Sequence, residues 1–199
     1  MTPMDLLEFA RGPALWTALA VLVVGSLWRV AAIWRLGAAP DFSEPRSTRL
    51  LAGAIRSIFG RMIPRKELQR SGKLGALNGY LYHVGLAVIM FGYLPHIHFI
   101  ERLTGLAWPP LPGPVVYFAV GLTFVALLIA LMERLTDPVR RLLSGFDDYF
   151  SWFVVILPCI TGMVAINVYY PPGAAPAPPL DPLPLAIHLL SVELLFVWL

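Results

Sequence analysis

Four histidines carry the chemical potential of this 199-residue chain: His83, His96, His98 and His188. Each lies inside or at the end of a long apolar segment, and no polar stretch holds one. An ionisable side chain is costly in lipid, so a histidine in an apolar span marks a candidate site. Imidazoles facing one another across a helix bundle can hold a b-type haem. The single cysteine, Cys159, excludes an internal disulfide and a cysteine-bound iron–sulfur cluster.

The elements that must position these histidines follow from composition. Hydrophobic residues make up 58% and charged residues 14%, with mean hydropathy +0.72. That predicts an all-α integral membrane bundle. Five apolar segments are expected as its transmembrane helices: about 14–36, 74–100, 115–135, 149–170, and from near 185 onward. The first four reach the ~20 residues a spanning helix needs. The fifth has 15 residues. At ~1.5 Å each these cover about 22 Å against a ~30 Å hydrocarbon core. The fifth helix therefore reads as truncated from a longer chain. Residues 1–13 lack the basic region of a cleavable signal peptide, so the first segment is expected to remain as a span.

Charge sets the expected topology. Eight Lys or Arg lie between positions 46 and 73, and Arg134, Arg140 and Arg141 flank the next basic loop. The other two loops hold only Arg102. The positive-inside rule then puts the N-terminus outside and both basic loops in the cytoplasm. Residues 1–199 read as one transmembrane domain, with a cytoplasmic amphipathic and basic connection at 45–70. In it Leu51, Ile55, Ile58, Phe59 and Met62 recur at helical spacing, with Arg49, Arg56 and Arg61 between them. This suits a helix on the inner membrane face, a docking surface for a cytoplasmic subunit, or both.

Depth relates the histidines to one another. The second span runs outward and the fifth inward. His188 lies four residues into the fifth, roughly 6 Å below the outer edge at helical rise. The matching depth on the second span is near His96, with His98 a half-turn further out. A haem could bridge His188 to either, near the outer face. His83 is deeper, roughly 25 Å from the outer edge at helical rise. Its counterpart on the fifth span would fall past Leu199, which predicts a second haem nearer the cytoplasm. Gly85 and Gly92 near His83 would admit a flat macrocycle or another helix. The plainer reading is that a histidine at a membrane interface is structural, and one of His96 and His98 suits that.

Other chemistries lack their parts. There is no H-E-x-x-H, G-x-S-x-G or P-loop. Charged residues are scarce within the spans, against an ion-coupled transporter. Nothing points to a nucleic-acid partner.

Several segments carry a resemblance: Arg11-Gly12-Pro13 before the first span, Tyr82-His83-Val84-Gly85-Leu86 in the second, and Ile187-His188-Leu189-Leu190-Ser191-Val192-Glu193 opening the fifth. With five spans, the sequence resembles the membrane cytochrome b subunits of the respiratory nitrate reductase gamma family. That group includes heterodisulfide-reductase-like and sulfite-reductase-associated membrane subunits. The resemblance implies heme b, one or two per chain, and electron transfer between a quinone and a cytoplasmic iron–sulfur subunit. A catalytic subunit would complete the complex in a bacterial-type cytoplasmic (inner) membrane. It implies His83 and His188 as iron ligands. The family's second histidine on span two falls ten residues after the first, where this chain has Tyr93. His96, His98 or Tyr93 itself then takes the place opposite His188, or the outer haem is absent. Tyr93 and Glu101, beside His96 and His98, are the candidates to hydrogen-bond a quinone or take its protons. A haem-free anchor that tethers a cytoplasmic enzyme is the rival reading.

Overall fold

The computed structural model describes residues 2–37, 49–62, 69–169 and 182–199. Every regular element among them is a helix. In chain order these are α1 (Pro3–Leu36), α2 (Leu50–Arg61), α3 (Gln69–Gly92) and α4 (Leu94–Thr104). There follow α5 (Gly113–Thr136), α6 (Pro138–Leu143), α7 (Phe146–Tyr169) and α8 (Pro182–Trp198). Four of them, α1, α3, α5 and α7, are long and apolar enough to cross a membrane; α8 is apolar but shorter. Only 6% of the apolar window of α1 is buried against protein, and Trp16, Trp28 and Trp34 are exposed along it. Such a surface needs lipid, not water, as its solvent.

The chain divides into two compact units, Met1–Gly37 with Leu131–Leu199, and Ala38–Ala130. In the first, α8 packs on both α1 and α7. The start of α1 is capped by Thr2, whose hydroxyl accepts from Asp5 N–H while the Asp5 carboxylate accepts from Thr2 N–H. At Ala10–Ala14 the helix widens into a π-helical turn that contains Pro13. Proline has no N–H to give the preceding turn, and a wider turn accommodates the ring. The α7–α8 pair is antiparallel: Trp198 Nε1 donates to Ser151 Oγ at 2.8 Å, and Thr161 meets Ser191 Oγ at 2.9 Å. Arg134 Nη1 lies 2.8 Å from Asp148 Oδ1, and Arg140 pairs with Glu133, so two of the loop arginines already face acids.

In the second unit, α5 buries one helical face, Val116, Ala119, Val120, Thr123, Ala126 and Leu127. That spacing is the signature of a stripe turned to protein on an otherwise lipid-facing helix. Asn78, Gly85 and Gly92 of α3 recur every seven residues and are buried. Asn78 Nδ2 donates to Ala126 O at 2.8 Å. A Cβ on Gly85 would meet Thr123 Oγ1 at 2.0 Å and Ala119 O at 3.3 Å. Absence of a side chain is what lets α3 and α5 touch here.

Three expected boundaries move. The first helix starts at Pro3, well before the apolar segment expected from about 14. The segment read as one span over 74–100 is two helices. Tyr93 is extended (φ −87°, ψ 127°), and Leu94-Pro95 starts α4. Proline suits the first turn of a helix, where no N–H is needed, and within one it removes a backbone hydrogen bond. The depth count from Ile100 down to His83 assumed an unbroken helix and does not survive this break. The amphipathic connection forms α2 over Leu50–Arg61, shorter than the expected stretch, and Leu51, Ile55, Ile58, Phe59 and Met62 are all exposed on it. The proline-rich stretch at 171–179, and Arg46, Arg65 and Lys66, lie outside the described residues.

Candidate functional site

His83 is exposed on α3, and its Nδ1 lies 2.7 Å from Gly79 O, one turn back on its own helix. A carbonyl only accepts, so this nitrogen carries the proton; the tautomer is assigned from that pattern. The lone pair is then on Nε2, the arrangement used when histidine binds a metal. At 3.6 residues per turn His83 lies about 140–180° round α3 from the Asn78, Gly85 and Gly92 line. Gly85 and Gly92 therefore do not make room beside it, as expected from sequence. Gly85 is spent on Thr123, and a Cβ on Gly92 would meet Leu111 Cδ1 at 2.6 Å. The open ground on the His83 face is Gly79, where an added Cβ would meet nothing within 4 Å. The Tyr82 ring tilts against the imidazole with centroids 4.2 Å apart.

His188 is held differently. Its ring lies over Gly162 of α7, where a Cβ would stand 3.1 Å from Cε1. Nδ1 is 3.3 Å from Thr161 Oγ1. Thr161 Oγ1 meets Ser191 Oγ at 2.9 Å, and Ser191 Oγ donates to His188 O at 2.6 Å. Thr161 Oγ1 also donates to Leu157 O at 2.9 Å. A hydroxyl both gives and accepts, so this cluster holds the ring in place by Nδ1 without assigning its proton.

The break at Tyr93 explains His96. A helix end leaves its last carbonyls without partners. Here Ile89 O accepts from Tyr93 N–H at 3.3 Å and from His96 Nδ1 at 2.9 Å. Phe91 O accepts from Trp108 Nε1 at 2.6 Å, and Gly92 O from Leu111 N–H at 2.9 Å. His96 also meets the Tyr93 ring edge-on, centroids 5.4 Å apart. Beyond the apolar span that ends at Gly92, burial pulls the His96 imidazole below the ordinary histidine value, against the Ile89 carbonyl that favours the proton. His98 is two residues on, about 200° round α4. It is exposed, with Nδ1 3.1 Å from Glu101 Oε2. The two histidines thus point to different sides of one helix. Of the expected residues, Tyr93 is brought to His96 and Glu101 to His98. No group of three or more His, Cys, Asp or Glu that could hold a metal ion is present among the described residues.

The sequence analysis gave no role to the polar residues that fasten the helices, Asn78, Thr123 and Thr161, and took Ser191 and the buried acid Glu193 only as part of the resemblance. The signal for Glu193 was available, since it is an acid within the fifth apolar segment.

No protein-family model matches the chain, and no solved structure does. The sequence is similar to a protein of Nitratidesulfovibrio vulgaris strain Hildenborough, 26% identical over 167 residues, covering 79% of this chain and 71% of the other. That relative is named only "Protein".

Proposed function

We propose that this chain is a b-type haem subunit that carries electrons between the quinone pool and a cytoplasmic iron–sulfur partner. Its place would be a respiratory oxidoreductase of a bacterial inner membrane. In this reading α8 serves as a fifth span and the N-terminus is outside. One observation carries the proposal: His83 and His188, both on apolar helices, are each held by Nδ1, His83 by the Gly79 carbonyl and His188 by the Thr161 hydroxyl. Metal-ligating histidines are commonly held this way, by a hydrogen bond at the ring nitrogen that does not bind the metal.

The donor set fits the group. His83 and His188 would hold iron through Nε2, and the open ground at Gly79 would leave room for a macrocycle edge on the His83 face. A bound b haem supplies a one-electron iron couple. Glu101, exposed with His98 beside it, would take protons from a quinol in this reading. Arg56 and Arg61 of α2 would attract an acidic cytoplasmic partner.

A haem-free anchor draws its support from α2, whose exposed apolar face suits a membrane surface whether or not haem is bound. A reduced-minus-oxidised spectrum and a pyridine haemochrome assay on purified protein in nanodiscs separate the two. The cytochrome reading expects an α-band that is diminished in His83→Ala. A wild-type protein without that band would leave only the anchor.

A further inference from the structure

Helix α8 has two working faces. His188, Ser191 and Trp198 meet α7. Leu190, Glu193, Leu194 and Val197, at the i, i+3, i+4 and i+7 positions of another face, line an open-sided cavity, a groove of about 400 Å³, against α1. Its opposite wall is Phe9, Pro13 and Thr17, so the π-helical turn shapes it. Wide turns of this kind recur at functional sites, and the volume falls in the range of small-molecule pockets, about 300–1,000 Å³.

Glu193 is the group that needs explaining. The residue is 6% exposed, and its Oε1 is buried with no hydrogen-bond partner. A buried carboxyl oxygen left unpaired is costly, and such exceptions in native proteins call for a missing partner. The other walls are largely alkyl and aromatic. The outer surface of α1 is lipid-facing, so a partner reaching this cavity comes from the bilayer.

We propose that the α1–α8 cavity binds a lipid-soluble quinol, with its hydroxyl donating to Glu193. A quinol donates to a carboxylate, and the oxidised quinone accepts from a carboxylic acid, so one side chain can hold both redox forms. Its apolar body suits Phe9, Pro13 and Leu194. The site differs from the Tyr93 and Glu101 positions. Glu193 lies about 140° round α8 from His188 and about 7.5 Å along it, which places the bound quinol one helix body from a candidate iron ligand. The choice of quinol over another hydroxyl-bearing lipid rests on the electron-transfer reading above.

The test is equilibrium binding of a fluorescent, alkyl-tailed hydroxyquinoline N-oxide, a quinol mimic, to the purified full chain in nanodiscs. Glu193→Gln keeps the shape and is expected to weaken binding about tenfold, the loss of one charge-assisted hydrogen bond. Thr17→Trp, at an exposed rim position, fills the cavity without disturbing packed side chains and should weaken binding further. Asp147→Asn, at an exposed acid in the first turn of α7, should bind as wild type. Unchanged affinity in both Glu193→Gln and Thr17→Trp overturns the site, as does a loss confined to Glu101→Gln. Displacement of the probe by diacylglycerol as readily as by a short-chain quinol overturns the quinol assignment. Haem is measured on the same samples. Glu193-dependent binding in a protein without an α-band keeps the site and removes the proposed function. Glu193-independent binding in a protein with the band does the reverse.

Discussion

His83 and His188 carry the same side chain on apolar helices, and opposite means hold them. His83 is fixed by its own helix through the Gly79 carbonyl, on an exposed face. His188 is fixed by a neighbour, between Gly162 beneath its ring and Thr161 at its Nδ1. The first arrangement needs only that α3 be a helix. The second needs α7 and α8 docked in register. A local device survives loosening of the bundle, whereas a tertiary one reports on it.

The largest expected effect tests the first site alone. His83→Ala removes the proposed iron ligand and an exposed ring, so the haem it holds should fall to background while the thermal unfolding of the protein moves little. Surface changes away from packing typically cost within ~0.5 kcal/mol. A preserved haem content would break the functional half of the comparison, and a large loss of stability would break its structural half.

Next is a contrast between two glycines on one helix. Gly85→Ala puts a Cβ 2.0 Å from Thr123 Oγ1, whose residue is 0% exposed and whose hydroxyl donates to Ala119 O at 2.7 Å. The neighbour cannot yield cheaply, so the change should destabilise by ~1–3 kcal/mol, as overpacking does. Gly79→Ala meets nothing and should be neutral or stabilising by up to ~1 kcal/mol, from helix propensity. Thermal unfolding in nanodiscs measures both. Equal effects would mean that α3 does not present the Gly85 face to α5.

The second histidine is sharpened by Thr161→Val, which preserves shape and removes the hydroxyl. Nδ1 of His188 and the Ser191 hydroxyl both lose their contact with it. The expected cost is ~1–2 kcal/mol. The spectrum of any haem ligated by His188 should shift, while that of His83 should not. A spectrum unchanged by Thr161→Val would show that the hydroxyl does not orient a ligand.

How far this was legible from sequence depends on the range of the interaction. The long apolar segments carry their own helical signal, and the structure begins and ends most of them within a few residues of expectation. The break at Tyr93 was partly legible, because Gly92 and Pro95 bracket it and both punctuate helices. What hid it was the apolar run continuing through Phe99 and Ile100. The seven-residue line of Asn78, Gly85 and Gly92 was visible as spacing, but not its destination. Which face of α3 meets α5 depends on Thr123 and Ala126, some 40 residues away in sequence. For the same reason Gly85 was read toward His83 when it serves the opposite side. Thr161 and Ser191 looked like ordinary small polar residues in apolar segments until α7 and α8 were paired.

The smallest effects divide His96 from His98, which the sequence left as equals. His96→Ala removes the Nδ1 contact to Ile89 O and an edge of packing on Tyr93. The carbonyl keeps Tyr93 N–H at 3.3 Å, so it is not orphaned and the expected loss is ~1 kcal/mol. His98→Ala breaks a contact whose partners are 56% and 47% exposed. Exposed pairs of this kind contribute ~0–1 kcal/mol, and His98→Ala should fall at the low end. Of the two, only His96 already has Nδ1 fixed by a backbone carbonyl, as His83 does. Any outer haem should therefore change its spectrum in His96→Ala and keep it in His98→Ala. The reverse result would assign the ligand to the exposed side of α4 and leave His96 as the cap of a broken helix.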